Sequence, residues 1–364
     1  MKYVSEFRDP SIAKAIITRI HQLADRIEGS IRIMEVCGTH SMTVLRYGLR
    51  DVLPGNVQLV SGPGCPVCVT PDPYIDVACR YASDGFIVAT FGDMVRVPGA
   101  HSNLLREKSM GAEVRIVYSP LDALSLAVEN PRKQVTFLAV GFETTAPGVA
   151  ATVLQAKERG QDNFGIFTAH KLIPPAMSML VQDAEVHVDG FLCPGHVSVV
   201  TGVRVYEFLA HEYGIPCVVA GFEALDVLEG VRMILFQLVK GKALVENEYS
   251  RAVAEDGNTR ACTLVDKVFE VADSTWRGFG VIPESGLQVR SNYAQWDTAL
   301  CHPRSLVEVS RETGCRCGDV LRGVIEPVEC ALFGSTCVPS HPIGPCMVSS
   351  EGVCSIHYRF RSSR

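Results

Sequence analysis

The chain predicts an α/β protein with two similar parallel-sheet domains, followed by an irregular cysteine-rich domain. Three observations lead there. Short apolar runs rich in β-branched residues recur roughly 20 to 30 residues apart, the spacing of strand–helix units. The runs are continuous rather than alternating, as in strands covered on both faces. Lastly, six cysteines lie between Cys315 and Cys354 in a stretch punctuated by Pro327, Pro339, Pro342 and Pro345 and by five glycines, where neither helix nor strand propagates far.

The runs are Ile31–Val36, Val57–Val60, Phe86–Thr90, Val114–Tyr118, Val135–Val140, Phe164–Thr168, Gly190–Leu192 and Pro216–Ala220. Helix starts fall between them: Asp72-Pro73 and Ser119-Pro120 each offer a polar N-cap and then proline. A split at Asn130-Pro131 divides the runs into two sets of four. The resulting organisation is an N-terminal helix over 1–30 packing on the core, Rossmann-like domains over 31–130 and 131–240, and a C-terminal domain over 241–364. A single eight-stranded sheet is the competing arrangement. The N-terminal helix opens at Asp9-Pro10, with Ile12, Ile16, Ile20, Leu23 and Ile27 on one face. Leu225–Val239 repeats that pattern, and both helices read as packing elements.

The residues at the strand ends carry the chemistry. The first set ends in Cys37-Gly38-Thr39-His40, Gly62-Pro63-Gly64-Cys65-Pro66-Val67-Cys68 and Phe91-Gly92-Asp93-Met94. The second ends in Gly141-Phe142-Glu143-Thr144-Thr145, His170-Lys171, Pro194-Gly195-His196 and Gly221-Phe222-Glu223. Ligands of open α/β sheets bind outside the carboxyl ends of the strands, so both sets aim functional edges at a cleft. The two Gly-Phe-Glu tripeptides support the repeat, with capping or hydrogen bonding the expected role of each glutamate.

Cys65-Pro66-Val67-Cys68 sits at a strand-to-helix junction, where a helix N-terminus favours thiolate; it reads as a redox dithiol or as a metal-ligand pair. Cys37 with His40 suits iron, zinc or copper, or a nucleophile with its base. Cys79, Cys193, Cys217, Cys262 and Cys301 stand in isolated or core contexts and read as structural. The tail needs cross-linking, by disulfides or by a metal. Nothing apolar approaches the ~18 residues of a membrane span, and Met1–Asp9 is polar, so the expected location is the cytoplasm. Thiols stay reduced there, which favours metal or redox chemistry for the 14 cysteines. A net charge of −6 with mixed signs offers nucleic acid no basic patch. No phosphate-binding or dinucleotide glycine motif stands after any strand. A [4Fe–4S] cluster takes four thiolates; zinc would favour paired C-x-x-C knuckles, which the tail lacks. Side chains of Cys315 and Cys317 would point apart in extended chain, giving them different roles. Four cluster ligands and a two-electron pair account for the six thiols.

Taken in order, these motifs resemble the hydrogenase maturation HypD family over nearly the whole length. Besides Glu35–His40, Gly62–Cys68 and Gly141–Pro147, the likeness rests on His170–Met177, Trp276-Arg277-Gly278, Cys315-Arg316-Cys317-Gly318 and Pro342–Gly352. Ser41 stands where threonine is expected and Ala331 where proline is; neither removes a thiol. The resemblance implies two α/β domains and a [4Fe–4S] domain, in a scaffold on which the Fe(CN)2CO unit of [NiFe]-hydrogenase is assembled. It implies a HypC-type chaperone sharing the iron and a HypE-type cyanide donor. Carried over, Cys37 is the iron ligand with His40 beside it, and Cys65 and Cys68 form the redox pair of the cleft. Cys315, Cys330, Cys337 and Cys354 become the cluster ligands, leaving Cys317 and Cys346 as the adjacent dithiol. The alternative is a free-standing iron–sulfur thiol–disulfide reductase, which would need no Cys37.

Overall fold

The computed structural model describes residues 6–305 and 313–360. Nine parallel strands form two sheets among them. In chain order they are β1 (Ile31–Glu35), β2 (Val57–Ser61), β3 (Ile87–Thr90), β4 (Val114–Ile116), β5 (Val135–Gly141), β6 (Phe164–His170), β7 (Gly190–Pro194), β8 (Cys217–Ala220) and β9 (Val245–Asn247). Sheet A has the order β2-β1-β7-β8-β9 and sheet B the order β4-β3-β5-β6. An antiparallel pair, β10 (Phe269–Trp276) and β11 (Gly280–Val289), completes the strands among the described residues.

The fold class is therefore the one the sequence predicts, and the single continuous sheet is excluded. The division at Asn130-Pro131 does not match the strand pairing. Sheet B is inserted within sheet A: helix Asp72–Ser83 leads out after β2 and helix Ile173–Gln182 leads back before β7. A continuous apolar run reports burial on both faces but does not name its neighbour, so periodicity could not assign strands to sheets. The region 241–364 is likewise shared out. Its β9 pairs with β8, while Phe269, Leu287, Tyr293 and Trp296 join the core of sheet B.

Each sheet begins second-first-third-fourth in its own strand sequence, sheet A adding a fifth strand at the edge, the doubly wound order whose switch point lies between its first and third strands. In sheet A that point falls between β1 and β7, in sheet B between β3 and β5. Helix Pro10–Ala24 packs with helix Ala224–Val239 on one face of sheet A through Ile20, Leu23, Leu228 and Leu235. Between the sheets a shared core unites Met34, Val36, Phe142 and Trp276 with Cys65, Cys68, Cys317 and Cys346. Fully buried rings such as Phe137, Phe164 and Phe191 contribute about 1.5–3 kcal/mol each. Among the described residues no helix is long and apolar enough to cross a membrane.

Helix starts agree with the sequence with one exception. Ser119 caps helix Pro120–Glu129 in a reciprocal box with Asp122, and Asp9 accepts from Ser11 N at 2.8 Å. Asp72 is instead the first residue of its helix, and its carboxylate is committed to an ion pair with Arg277.

Candidate functional site

β1 ends beside β7, and Cys37 comes next in extended backbone as the N-cap residue of helix Gly38–Arg46. The side chain is 1 % exposed, and its Sγ lies 3.7 Å from Nδ1 of His196, just beyond β7. The thiol thus occupies the switch point of sheet A. Two glycines make the seat. A Cβ on Gly64 would stand 2.3 Å from the Cys37 Cα, and one on Gly38 would stand 2.4 Å from the Glu351 carbonyl oxygen. Gly38 N donates to Gly64 O at 3.1 Å, so the loop carrying Cys65 lies directly on Cys37.

Burial pushes the Cys37 thiol up to about 12; the backbone amides of His40 and Thr39 at the helix start oppose this, and the Glu351 carboxylate reinforces it. His40 does not face the thiol. Its Nε2 lies 3.2 Å from the carbonyl of Ala220 and 2.9 Å from that of Gly221, so that nitrogen carries the proton and ties the helix to the end of β8. Burial takes His40 and His196 each down to about 4, leaving both neutral at pH 7. His196, in the motif Pro194-Gly195-His196, is the imidazole that the sequence placed at a strand end without assigning it a role.

A cleft of about 580 Å³ opens where the carboxyl ends of both sheets meet, lined by Gly64, Pro66 and His196 from one side and Asp93, Tyr118 and Thr145 from the other. The tail closes it. Thr39 Oγ1 donates to Glu351 Oε1 at 2.9 Å, while Asp93 Oδ2 accepts from Ser349 Oγ at 2.8 Å and from Ser350 N at 3.3 Å. The segment Ser349–Glu351 therefore straps the edge of sheet A to that of sheet B. Neither Asp93 nor Glu351 emerged from sequence as a site residue, because each matters through a contact between distant segments. The two Gly-Phe-Glu glutamates do cap: Glu143 Oε1 accepts from Ile173 N at 2.8 Å, and Glu223 shares a capping box with Asp226.

Cys65 and Cys68 are both buried. The helix after them begins only at Asp72, so no helix N-terminus favours a thiolate here, and burial drives Cys68 well above the ordinary thiol range. Their surroundings are other sulfurs. The thiol of Cys68 is influenced by those of Cys65 and Cys346; Cys346 is likewise linked to Cys317 and Cys354, and Cys317 to Cys315. Cys315 and Cys317 therefore do not point apart. Side chains two positions apart share a face even in extended chain, so the expected divergence does not follow from strand geometry; here Cys317 also opens the short helix Cys317–Leu321. Arg277, paired with Asp72, acts electrostatically on Cys317, Cys346, Cys315 and Cys68; burial lowers its own pKa.

Cys330, Cys337 and Met347 form a small apolar cluster with Phe333, and Cys354 packs against it. Cys337 responds to the charges of Cys315 and Cys354, and its Sγ accepts from Ile343 N at 3.4 Å. A Cβ on Gly344 would stand 2.6 Å from the Cys315 sulfur. Among the described residues no three His, Cys, Asp or Glu side chains converge as ligands of a single ion. Cys330, Cys337 and Cys354 thus gather around one apolar cluster, with Cys315 in electrostatic reach of Cys337; thiols are the ligand type that iron–sulfur clusters take.

Comparison with known proteins agrees with the motifs. The model of the HypD family, described as the hydrogenase formation hypA family, matches residues 11–361. The chain is 44% identical to the hydrogenase maturation factor HypD2 of Bradyrhizobium diazoefficiens, covering 99% of this chain and 97% of that protein. It is 44% identical to HypD of Cupriavidus necator at the same coverage, and 42% identical to HypD of Rhodobacter capsulatus over 100% and 99%. The chain belongs to the HypD family of hydrogenase maturation factors.

Proposed function

We propose that this HypD-family protein is the scaffold on which the Fe(CN)2CO unit of [NiFe]-hydrogenase is assembled, the iron being held by Cys37 together with a HypC-type chaperone. The observation carrying this reading is a thiol at the switch point of sheet A, packed under Gly64 and beside His196, both of which line the cleft between two sheet edges. Iron is the substrate there. Its charge offsets the burial that keeps Cys37 protonated, and binding releases the thiol proton. The open cleft leaves room for the partners that bring the remaining ligands, among them a HypE-type cyanide donor.

Electrons would come from the tail. We assign Cys315, Cys330, Cys337 and Cys354 to a [4Fe–4S] cluster, which when bound supplies single electrons at a potential set by its surroundings. Cys317 and Cys346, whose thiols influence one another, then form the neighbouring dithiol. Its oxidation to a disulfide would reduce a Cys65–Cys68 disulfide: the Cys346 thiolate attacks the Cys68 sulfur, Cys65 leaves, and Cys317 resolves the mixed disulfide. The contact of Cys68 with Cys346 supports that route.

The test is an anaerobic infrared spectrum of the protein co-purified with its chaperone. Cyanide and carbonyl stretches that vanish in Cys37→Ala are expected. A silent spectrum from a preparation that holds its cluster and reduces disulfides would favour the free-standing thiol–disulfide reductase instead.

A further inference from the structure

Where β6 meets the β10–β11 pair, a second cavity of about 270 Å³ is lined by Pro71, Tyr74, Thr168, His170, Lys171 and Ser274, together with neighbouring β10 and β11 residues. It shares no lining residue with the cleft. Lys171 is 3 % exposed, and its Nζ donates to Ser274 Oγ. Among the described residues that hydroxyl is its one hydrogen-bond partner, and no carboxylate pairs with it. Buried ammonium groups are ordinarily paired, because burial without a counter-charge is costly. Asp273 on the same strand does not compensate: it is exposed, and its Oδ1 accepts from Glu284 N at 3.0 Å.

The rest of the lining mixes polar and apolar side chains, and the exposed Asp273 carboxylate stands at its edge. His170 is 1 % exposed; its Nδ1 meets Thr168 Oγ1 at 3.1 Å, and its Nε2 is buried with no partner among the described residues. Gly286 keeps the wall clear, since a Cβ there would stand 2.6 Å from the Ser274 Cβ. We propose that Lys171, with Ser274 and His170 beside it, binds a small oxyanion of carboxylate or phosphate size. Lys171 supplies the charge, and the imidazole offers one further hydrogen bond. The cavity falls below the roughly 300–1,000 Å³ of sites for drug-sized ligands, which limits the occupant to a few heavy atoms. Burial lowers the Lys171 amine to about 8, so it is still mainly an ammonium at neutral pH.

Calorimetric titration of the full-length protein with inorganic phosphate, and separately with acetate, tests this at constant ionic strength against chloride. Saturable binding of one of the two is expected: a preference for phosphate marks a phosphoryl ligand, a preference for acetate a carboxylate. Lys171→Met is expected to weaken binding at least about tenfold, the loss of a charge-assisted hydrogen bond. Lys171→Arg should retain more affinity than Lys171→Met. Ser274→Ala removes only a hydroxyl from a half-buried side chain and should weaken binding a few-fold, which gives a readout independent of how Lys171→Met folds. A response equal to that of chloride, or binding unchanged in both Lys171→Met and Ser274→Ala, overturns the proposal.

Discussion

The two sheets repeat one topology and carry different chemistry at corresponding edges. Sheet A ends in Cys37, in the loop of Cys65 and Cys68, and in His196; sheet B ends in Asp93, Glu143 and Thr145, without a thiol. The Gly-Phe-Glu tripeptides sharpen the contrast. Glu143 is buried and pushed up to about 7, whereas Glu223 pairs with Arg8 at 2.9 Å and is held below the usual carboxylate range. Duplicated strand order supplies two switch points facing one cleft, and substitution at the strand ends divides the labour. One edge brings sulfur, and the other brings a wall and an anchor for the tail. The largest break in that division is Cys37→Ala. Complete loss of the diatomic stretches is expected, with the visible absorbance of the tail cluster unchanged. Loss of both would mean that the edge and the tail are not separable.

Glu143 tests the other edge through pH. In unfolded chain it ionises near its ordinary value of 4.5; in the fold it stays protonated until about 7. The native state therefore holds the extra proton between those values, so the stabilisation is present below 4.5 and is lost as pH rises to about 7. The total approaches about 3 kcal/mol. Glu143→Gln should flatten part of the decline in chemical denaturation between pH 5 and 8. Glu35 and Glu248 are raised likewise by burial, so some slope persists. Glu223→Gln should not reproduce the flattening, and if it does the two edges are equivalent after all.

How much of this is legible in sequence depends on what each residue reports. Continuous apolar runs reveal the strands because double burial leaves a local signature. The partition into sheets depends on which crossover each helix makes, and no residue states that. Among site residues, Cys37 and the Cys65/Cys68 pair are legible because a thiol at a strand end is rare chemistry in an ordinary place. His196 is not, because its approach to Cys37 comes from the pairing of β1 with β7, residues far apart in the chain. The geometry of Cys315 and Cys317 departs from expectation for an elementary reason: side chains two positions apart share a face of an extended chain, so their spacing does not imply divergence.

Gly64 marks the spot where close packing rather than charge defines the site. Gly64→Ala would force a methyl against the Cys37 backbone at 2.3 Å, at a cost of about 2 kcal/mol by overpacking. Gly55→Ala, with nothing within 4 Å of its Cβ, is the matched control and should leave the denaturation midpoint nearly unmoved. Equal losses from both would remove the case for a tightly seated Cys37.

The strap Ser349–Glu351 makes the smallest effect and the most specific one. Asp93→Ala removes the acceptor for Ser349 and Ser350 on the sheet B side; Thr39→Val removes the donor to Glu351 on the sheet A side. Both contacts are partly open to solvent, so each change should cost only about 1 kcal/mol in chemical denaturation. Their combination carries the information. If the strap is one rigid link between the edges, releasing either end frees the other, and the double variant should lose less than the sum of the singles, by about 0.5 kcal/mol or more. Strict additivity would mean that each edge holds the tail independently, through two separate latches.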